Sequence, residues 1–257
     1  MAIKLLLIVL TSLSCGYRFT KEKVSFQQQE NICCIRVYRE FPIIDLKGDV
    51  VRYDPFESRI YFWKHQVMYQ TYHYHAISNT PEEAENPDYK YVYYSFIYSP
   101  GKEKGVLCDS ANLLSKRVVP VDSMLLNEWA AKTNFDFLFK ESNATLISTT
   151  VNPSGEKEDV YSFVGKKDST MTGRFTLNYC KNKFEGINYS FSRELDSVNN
   201  MKLYKVVVVN DARYLPGSTF HIDKLTIPYT LEEIPVANEA EILKLFDLES
   251  KTVPAEK

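Results

Sequence analysis

Tyr89–Ser99 reads YKYVYYSFIYS. The stretch holds no Gly and no Pro, and most of its side chains are rings or β-branched. Such residues suit the pleated, half-buried surface of a strand better than a helix. Alternation puts Tyr89, Tyr91, Tyr93, Ser95 and Ile97 on one face and Tyr94, Phe96 and Tyr98 on the other. Rings on both faces mean that both faces are covered, or that one lines a cavity.

Working outward, the segment 78–88 (SNTPEEAENPD) has two prolines and four acidic residues and reads as a solvated loop. Before it, 59–77 is aromatic and free of Gly and Pro, and reads as one long strand or two consecutive ones. Strands are expected at 32–41 and 50–54, with Asp54-Pro55 as a turn. Downstream, Pro100-Gly101 turns into a short strand at 105–108. The stretch 120–132 is expected to be a helix, because Asp122 or Ser123 can cap it and Met124, Leu125, Glu128 and Ala131 follow helical spacing. Further strands are expected at 135–139, 144–151, 159–164, 172–180, 184–193, 202–209 and 219–227. The segment 238–249 gathers Ile242, Leu243, Leu245, Phe246 and Leu248 on one side of a helix, and 251–257 should fray.

Hairpin-length links and the absence of alternating long helices predict a mainly β chain with an antiparallel sheet and two or three short helices. The expected divisions are a targeting segment at 1–16, one β-rich domain at 17–228, and a C-terminal helix and tail at 229–257. With 257 residues, 44% of them apolar, the domain is large enough to bury a core without a metal. The 31 basic and 33 acidic side chains leave a net charge of −2, so no bulk positive field favours nucleic acid.

Lys4, the run Leu5–Leu10 and the small residues up to Gly16 have the pattern of a signal peptide cut before Tyr17. The apolar run is far short of the roughly 20 residues that span a bilayer, so integral insertion is not expected. Five cysteines occur, and such a cut removes Cys15. Cys33, Cys34, Cys108 and Cys180 remain, with three connectivities open. Adjacent cysteines bridge only with strain, so Cys33 and Cys34 are expected to reach separately to Cys108 and Cys180. Two sequons, Asn143-Ala-Thr145 and Asn188-Tyr-Ser190, agree with a secretory route and glycosylation.

No motif for catalysis is present: no Gly-x-Ser-x-Gly, no Gly-rich phosphate loop and no His-Glu-x-x-His. His73 and His75 share a strand face, which is read as an exposed face and not as a metal site. No catalytic residue, metal ligand or cofactor is therefore assigned.

An ordered set of short motifs remains. Cys33-Cys34 is followed by Tyr53-Asp54 with Arg59-Ile60, then Cys108 with Leu113 or Leu114, then Val119-Pro120-Val121-Asp122-Ser123. Gly173–Cys180 (GRFTLNYC) and Asn210-Asp211 with Tyr214 and Pro216 close the series. In this order the chain resembles the ependymin and ependymin-related family of secreted glycoproteins over residues 32–217. It departs from that family in lacking the final cysteine, with Phe220 near its place. The resemblance implies curved antiparallel sheets stacked around an apolar pocket, as in the bacterial lipoprotein-carrier fold. It also implies a homodimer, an extracellular or lysosomal setting, and binding of lipid or another hydrophobic small molecule. Calcium association and cell–matrix adhesion, with extracellular matrix as a partner, belong to the same implication. By analogy, Trp63, Tyr72, Tyr94, Phe96, Trp129 and Phe137 fall near the pocket. The alternative is a lipocalin-type small-ligand carrier, which needs a closed eight-strand barrel and a Gly-x-Trp near the mature start.

Overall fold

A computed structural model describes residues 29–45, 47–77, 88–109, 112–181, 183–184 and 186–253. The expected targeting segment with Cys15, and the 78–87 part of the acidic loop, lie outside the described residues, as do the side chains of His73 and His75. One antiparallel sheet dominates. Its first half is a meander of β1 (Gln29–Ile44), β2 (Val50–Lys64), β3 (Gln66–Ile77), β4 (Asp88–Tyr98), β5 (Lys104–Asp109) and β6 (Asn112–Pro120). The second half is β7 (Ser142–Val151), β8 (Lys157–Gly165), β9 (Thr172–Cys180) and β10 (Lys202–Asn210), with β13 (Leu225–Glu233) beside it. The strand order is β6-β5-β4-β3-β2-β1-β13-β10-β9-β8-β7. A small hairpin, β11 (Arg213–Tyr214) and β12 (His221–Ile222), forms a separate pair. The mainly β expectation holds; among the described residues the sheet is open, ending in edges β6 and β7.

Between the two edges runs a linker of three short helices, α1 (Val121–Asn127), α2 (Trp129–Lys132) and α3 (Phe137–Lys140). It crosses one face of the sheet. Phe135 packs on Tyr229 of β13 at 4.8 Å, and Phe139 packs on Phe175 of β9 at 5.3 Å. The register aligns Ile35, Ile60, Tyr69 and Phe96 across β1–β4 on this face, and all four are buried. The neighbouring row, Cys34, Tyr61, Met68, Ile97 and Val106, faces the other way. There it is covered by the final helix, α5 (Glu239–Thr252), through Ile242, Leu245 and Phe246. Burying those three side chains stabilises the packing by roughly 2 kcal/mol each. Both faces of β4 are thus covered at Phe96 and Ile97.

Several local readings are corrected. Asp54-Pro55 is no turn: β2 runs straight through it, with Pro55 opposite Glu40. Pairing with β3 begins only at Glu57, so at Pro55 the strand is in effect an edge, where a missing N–H is tolerated. The real break in 59–77 is the tight turn at Lys64-His65, with Lys64 at φ 51°. The strand β6 has no counterpart in the sequence reading. The expected strand at 135–139 is largely α3, and 184–193 is irregular chain before α4 (Arg193–Asn199). That irregular chain bonds to the linker, where the Phe135 N–H donates to the Phe191 carbonyl at 2.9 Å, and to strand side chains, where Lys202 of β10 donates to the Tyr189 carbonyl at 2.7 Å and Glu233 of β13 accepts from the Phe184 N–H. β13 runs through residue 228, so the sheet extends past the expected domain limit.

The β1–β2 connection shows why a glycine is needed. Gly48 has φ +96°, and a Cβ there would sit 1.4 Å from the His221 carbonyl oxygen. The Asp223 N–H donates to the Gly48 carbonyl at 3.1 Å, so this loop is pinned to β12 and the chain that follows it.

Candidate functional site

The six residues expected around a pocket do not converge. Phe96 is fully buried, stacked on Tyr98 at 5.3 Å in solid core. Trp63 lies on the opposite face, 5.6 Å from Phe246 of α5. Tyr72 is also on that face and donates to Gln70 Oε1 at 2.8 Å, under the guanidinium of Arg59. Tyr94 donates to Glu128 Oε2 at 2.7 Å. Trp129 packs on Arg39, and Phe137 is exposed beside Phe135. Among the described residues, Tyr61, Phe62, Tyr69 and Phe96 of β2–β4 are buried in packing the two faces.

What the sequence spacing missed is the position of Glu128. The expected helix breaks there into α1 and α2, with Glu128 extended at ψ 115°. Its carboxylate is drawn down onto the sheet, where Ser58, Thr71 and Tyr94 donate to it at 3.1, 2.7 and 2.7 Å. The same side chain caps the Ala130 N–H at 3.3 Å. A buried carboxylate with four donors is satisfied, as burial of a charge demands, and it fastens the linker to the sheet.

A cavity does exist, but at the other end of the linker. It has a volume of about 390 Å³ and lies between α3, α4 and strands β7, β8 and β9. Its walls include Phe139, Tyr161, Leu146, Leu195 and Val198. Phe139 stands edge-on to Tyr161 at 5.2 Å, and Tyr161 stacks on Phe175 at 5.0 Å. Leu146 and Val198 are exposed at 51% and 79%, so they form an apolar mouth.

The polar end of the cavity is a small network. Lys157 Nζ meets Asp159 Oδ2 at 2.7 Å and Asn199 Oδ1 at 2.7 Å, and lies 5.5 Å from the centre of the Tyr179 ring. Thr149 donates to Asp159 Oδ1 at 2.7 Å. Asp159 is buried yet fully engaged. Burial pushes the Tyr161 and Tyr179 phenols above their usual range, and the Asp159 carboxylate adds to it. Both therefore remain neutral hydroxyls at physiological pH. The cavity thus joins aromatic walls, an aliphatic mouth and a hydrogen-bonding end. Single-residue spacing could not find it, because its residues come from 136–199 and meet only through β-pairing and two helices.

The expected disulfides are not formed: Cys33, Cys34, Cys108 and Cys180 are all free. The strand order explains this. Cys34 on β1 and Cys108 on β5 are four strand spacings apart, roughly 19 Å, and β9 with Cys180 is three spacings from β1, roughly 14 Å. A bridge needs Cα atoms within about 7 Å. Burial raises all four thiols, Cys34 to about 12.

Of the two sequons, Asn143 is exposed on the edge strand β7, whereas Asn188 is half-buried between Ile187 and Tyr189. Among the described residues no cluster of three or more His, Cys, Asp or Glu side chains is placed to hold a metal ion. Among the same residues, no helix is long and apolar enough to cross a membrane. Compared with family models, curated proteins and solved structures, the chain matches none.

Proposed function

We propose that the chain is a secreted, non-catalytic binding protein for a lipid-like or other hydrophobic small molecule, held in the cavity between α3, α4 and β7–β9. The observation that carries this reading is the cavity itself. Its volume of about 390 Å³ falls in the range of small-molecule sites, and its apolar mouth leads to a polar end. An amphipathic guest would lay its apolar body on Phe139 and Tyr161 and direct its polar group toward Lys157 and Asp159.

Secretion is supported by the signal-peptide pattern and the two sequons. The lipoprotein-carrier comparison is supported at the level of architecture by a broad antiparallel sheet with short helices over one face. A dimer, calcium association and matrix adhesion rest on the resemblance of motifs.

The test starts from protein expressed through a secretory pathway. Solvent extraction and mass spectrometry should recover a bound lipid, and oleate should raise the thermal midpoint saturably. Leu146→Arg, a change at an exposed position that obstructs the mouth, should reduce that response without lowering the midpoint of the free protein. Protein that carries no lipid and does not respond to oleate would overturn the proposal.

A further inference from the structure

At the far end of β1, on the linker face, a second group of side chains lies apart from the cavity and shares no residue with its lining. Arg39 projects there among three rings. Its guanidinium carbon lies 4.7 Å from the centre of Trp129, 4.8 Å from Phe56 and 5.7 Å from Phe41. Two donors in this nest are buried and have no partner among the described residues: Arg39 Nε and Trp129 Nε1. Buried N–H groups are nearly always satisfied, so an unpaired pair side by side calls for an explanation.

The carboxylates that the fold brings near are already engaged. Asp54 lies opposite Phe41 in the β1–β2 register and accepts from Arg52 Nε at 2.8 Å. Glu128, next to Trp129 in the chain, is taken by Ser58, Thr71 and Tyr94. Glu40 is on the opposite face of β1 and accepts from the Tyr38 hydroxyl at 2.9 Å. Arg39 thus combines a guanidinium, no ion pair among the described residues and a wall of rings.

We propose that Arg39 and Trp129 form a binding site for an organic monocarboxylate with an apolar body. The carboxylate oxygens accept from Arg39 and from Trp129 Nε1, and the body rests against Phe41 and Phe56. The charge argues for the ligand class: one guanidinium and one neutral N–H match a single negative charge shared over two oxygens. A phosphate dianion would need a second cation, and Arg52, on the same face of β2, is already paired with Asp54. The inference is independent of whether the distant cavity holds a lipid.

The test compares benzoate with benzyl alcohol, which has the same ring and no charge. Both are titrated into the full chain by calorimetry and by Trp129 emission in a Trp63→Phe background, since Trp63 and Trp129 are the two tryptophans. Benzoate should bind saturably and benzyl alcohol should not. Arg39→Met should weaken benzoate at least tenfold, with Arg39→Lys intermediate because it keeps the charge but not the fork. Trp129→Phe, which keeps a ring and loses the donor, should weaken it several-fold by calorimetry. Equal behaviour of the two ligands, or no saturable response to benzoate, overturns the site whatever the variants do. A folded Arg39→Met protein that binds benzoate like the parent overturns it as well.

Discussion

Glu128 shows how much a single residue carries. Truncation to Ala would leave three hydroxyls and one N–H facing a buried gap, and the linker would lose its attachment to β2, β3 and β4. The expected loss is about 3 kcal/mol, because several charge-assisted hydrogen bonds vanish together. Urea denaturation of Glu128→Ala checks this, and an unchanged midpoint would contradict it. The same residue marks a limit of sequence reading. Met124, Leu125, Glu128 and Ala131 follow helical spacing, but periodicity cannot register that a carboxylate bonding to distant strands interrupts the helix.

Buried acids of another kind set an alkaline limit. Cys34 and Tyr72 are each pushed up to about 12 by burial. Unfolded, a thiol and a phenol release their protons near 8.5 and 10, about the ordinary values. Above those values the folded chain holds protons that the unfolded chain has lost. Stability is therefore full below about pH 8.5 and falls as pH rises toward 12. Thermal midpoints should drop steadily between about pH 8.5 and about pH 10.5; a flat profile would refute the burial of these groups. Iodoacetamide should leave Cys34 and Cys108 unmodified in native protein and modify both in guanidinium.

At the scale of elements, α5 seals one face of the first half-sheet. Gln66 donates to the Phe246 carbonyl at 3.0 Å and to Glu249 at 2.8 Å, and Ser99 donates to Glu249 at 3.2 Å. Phe246→Ala should cost about 4 kcal/mol, the usual range for a buried ring. It should also speed alkylation of Cys34 and Cys108, the two thiols beneath α5. A rate equal to that of the parent protein would show that α5 does not protect them. Strand β7 presents the opposite case. It is an edge of the sheet, carries no charge in SNATLISTTV, and exposes Leu146, Ile147 and Val151. Such an edge invites pairing with another chain. Ile147→Lys should lower light scattering on concentration with little change in stability.

These elements also show what the sequence could reveal. β4, β9 and α5 carry strong local patterns, and each was legible as an element. The Lys64-His65 turn was not, because neither residue is one that marks a turn. Phe135–Phe139 looked like a strand because a short aromatic run fits strand and helix alike. Its fate was decided by Phe135 and Leu138 reaching the sheet from the linker. The candidate cavity was less legible still. Aromatic richness left covered faces and a hollow near β4 both open, whereas Phe96 is packed in the core and the cavity lies near β7–β9, where the composition is less unusual.

At the scale of the whole molecule, β1 joins two meanders. It pairs with β2 on one side, and on the other with β13, setting Ile35 against Glu233. Each meander consists of strands adjacent in the chain, so each can form by successive hairpins. The β1–β13 contact instead needs chain ends separated by almost the full described length. Contacts of that kind carry the largest loop-closure cost and slow folding. The seam should therefore be the last joint made during synthesis, waiting until β13 has left the ribosome. Until then β1 offers one side of its backbone to any passing strand, and a cell producing this chain must shield that side for the time translation takes.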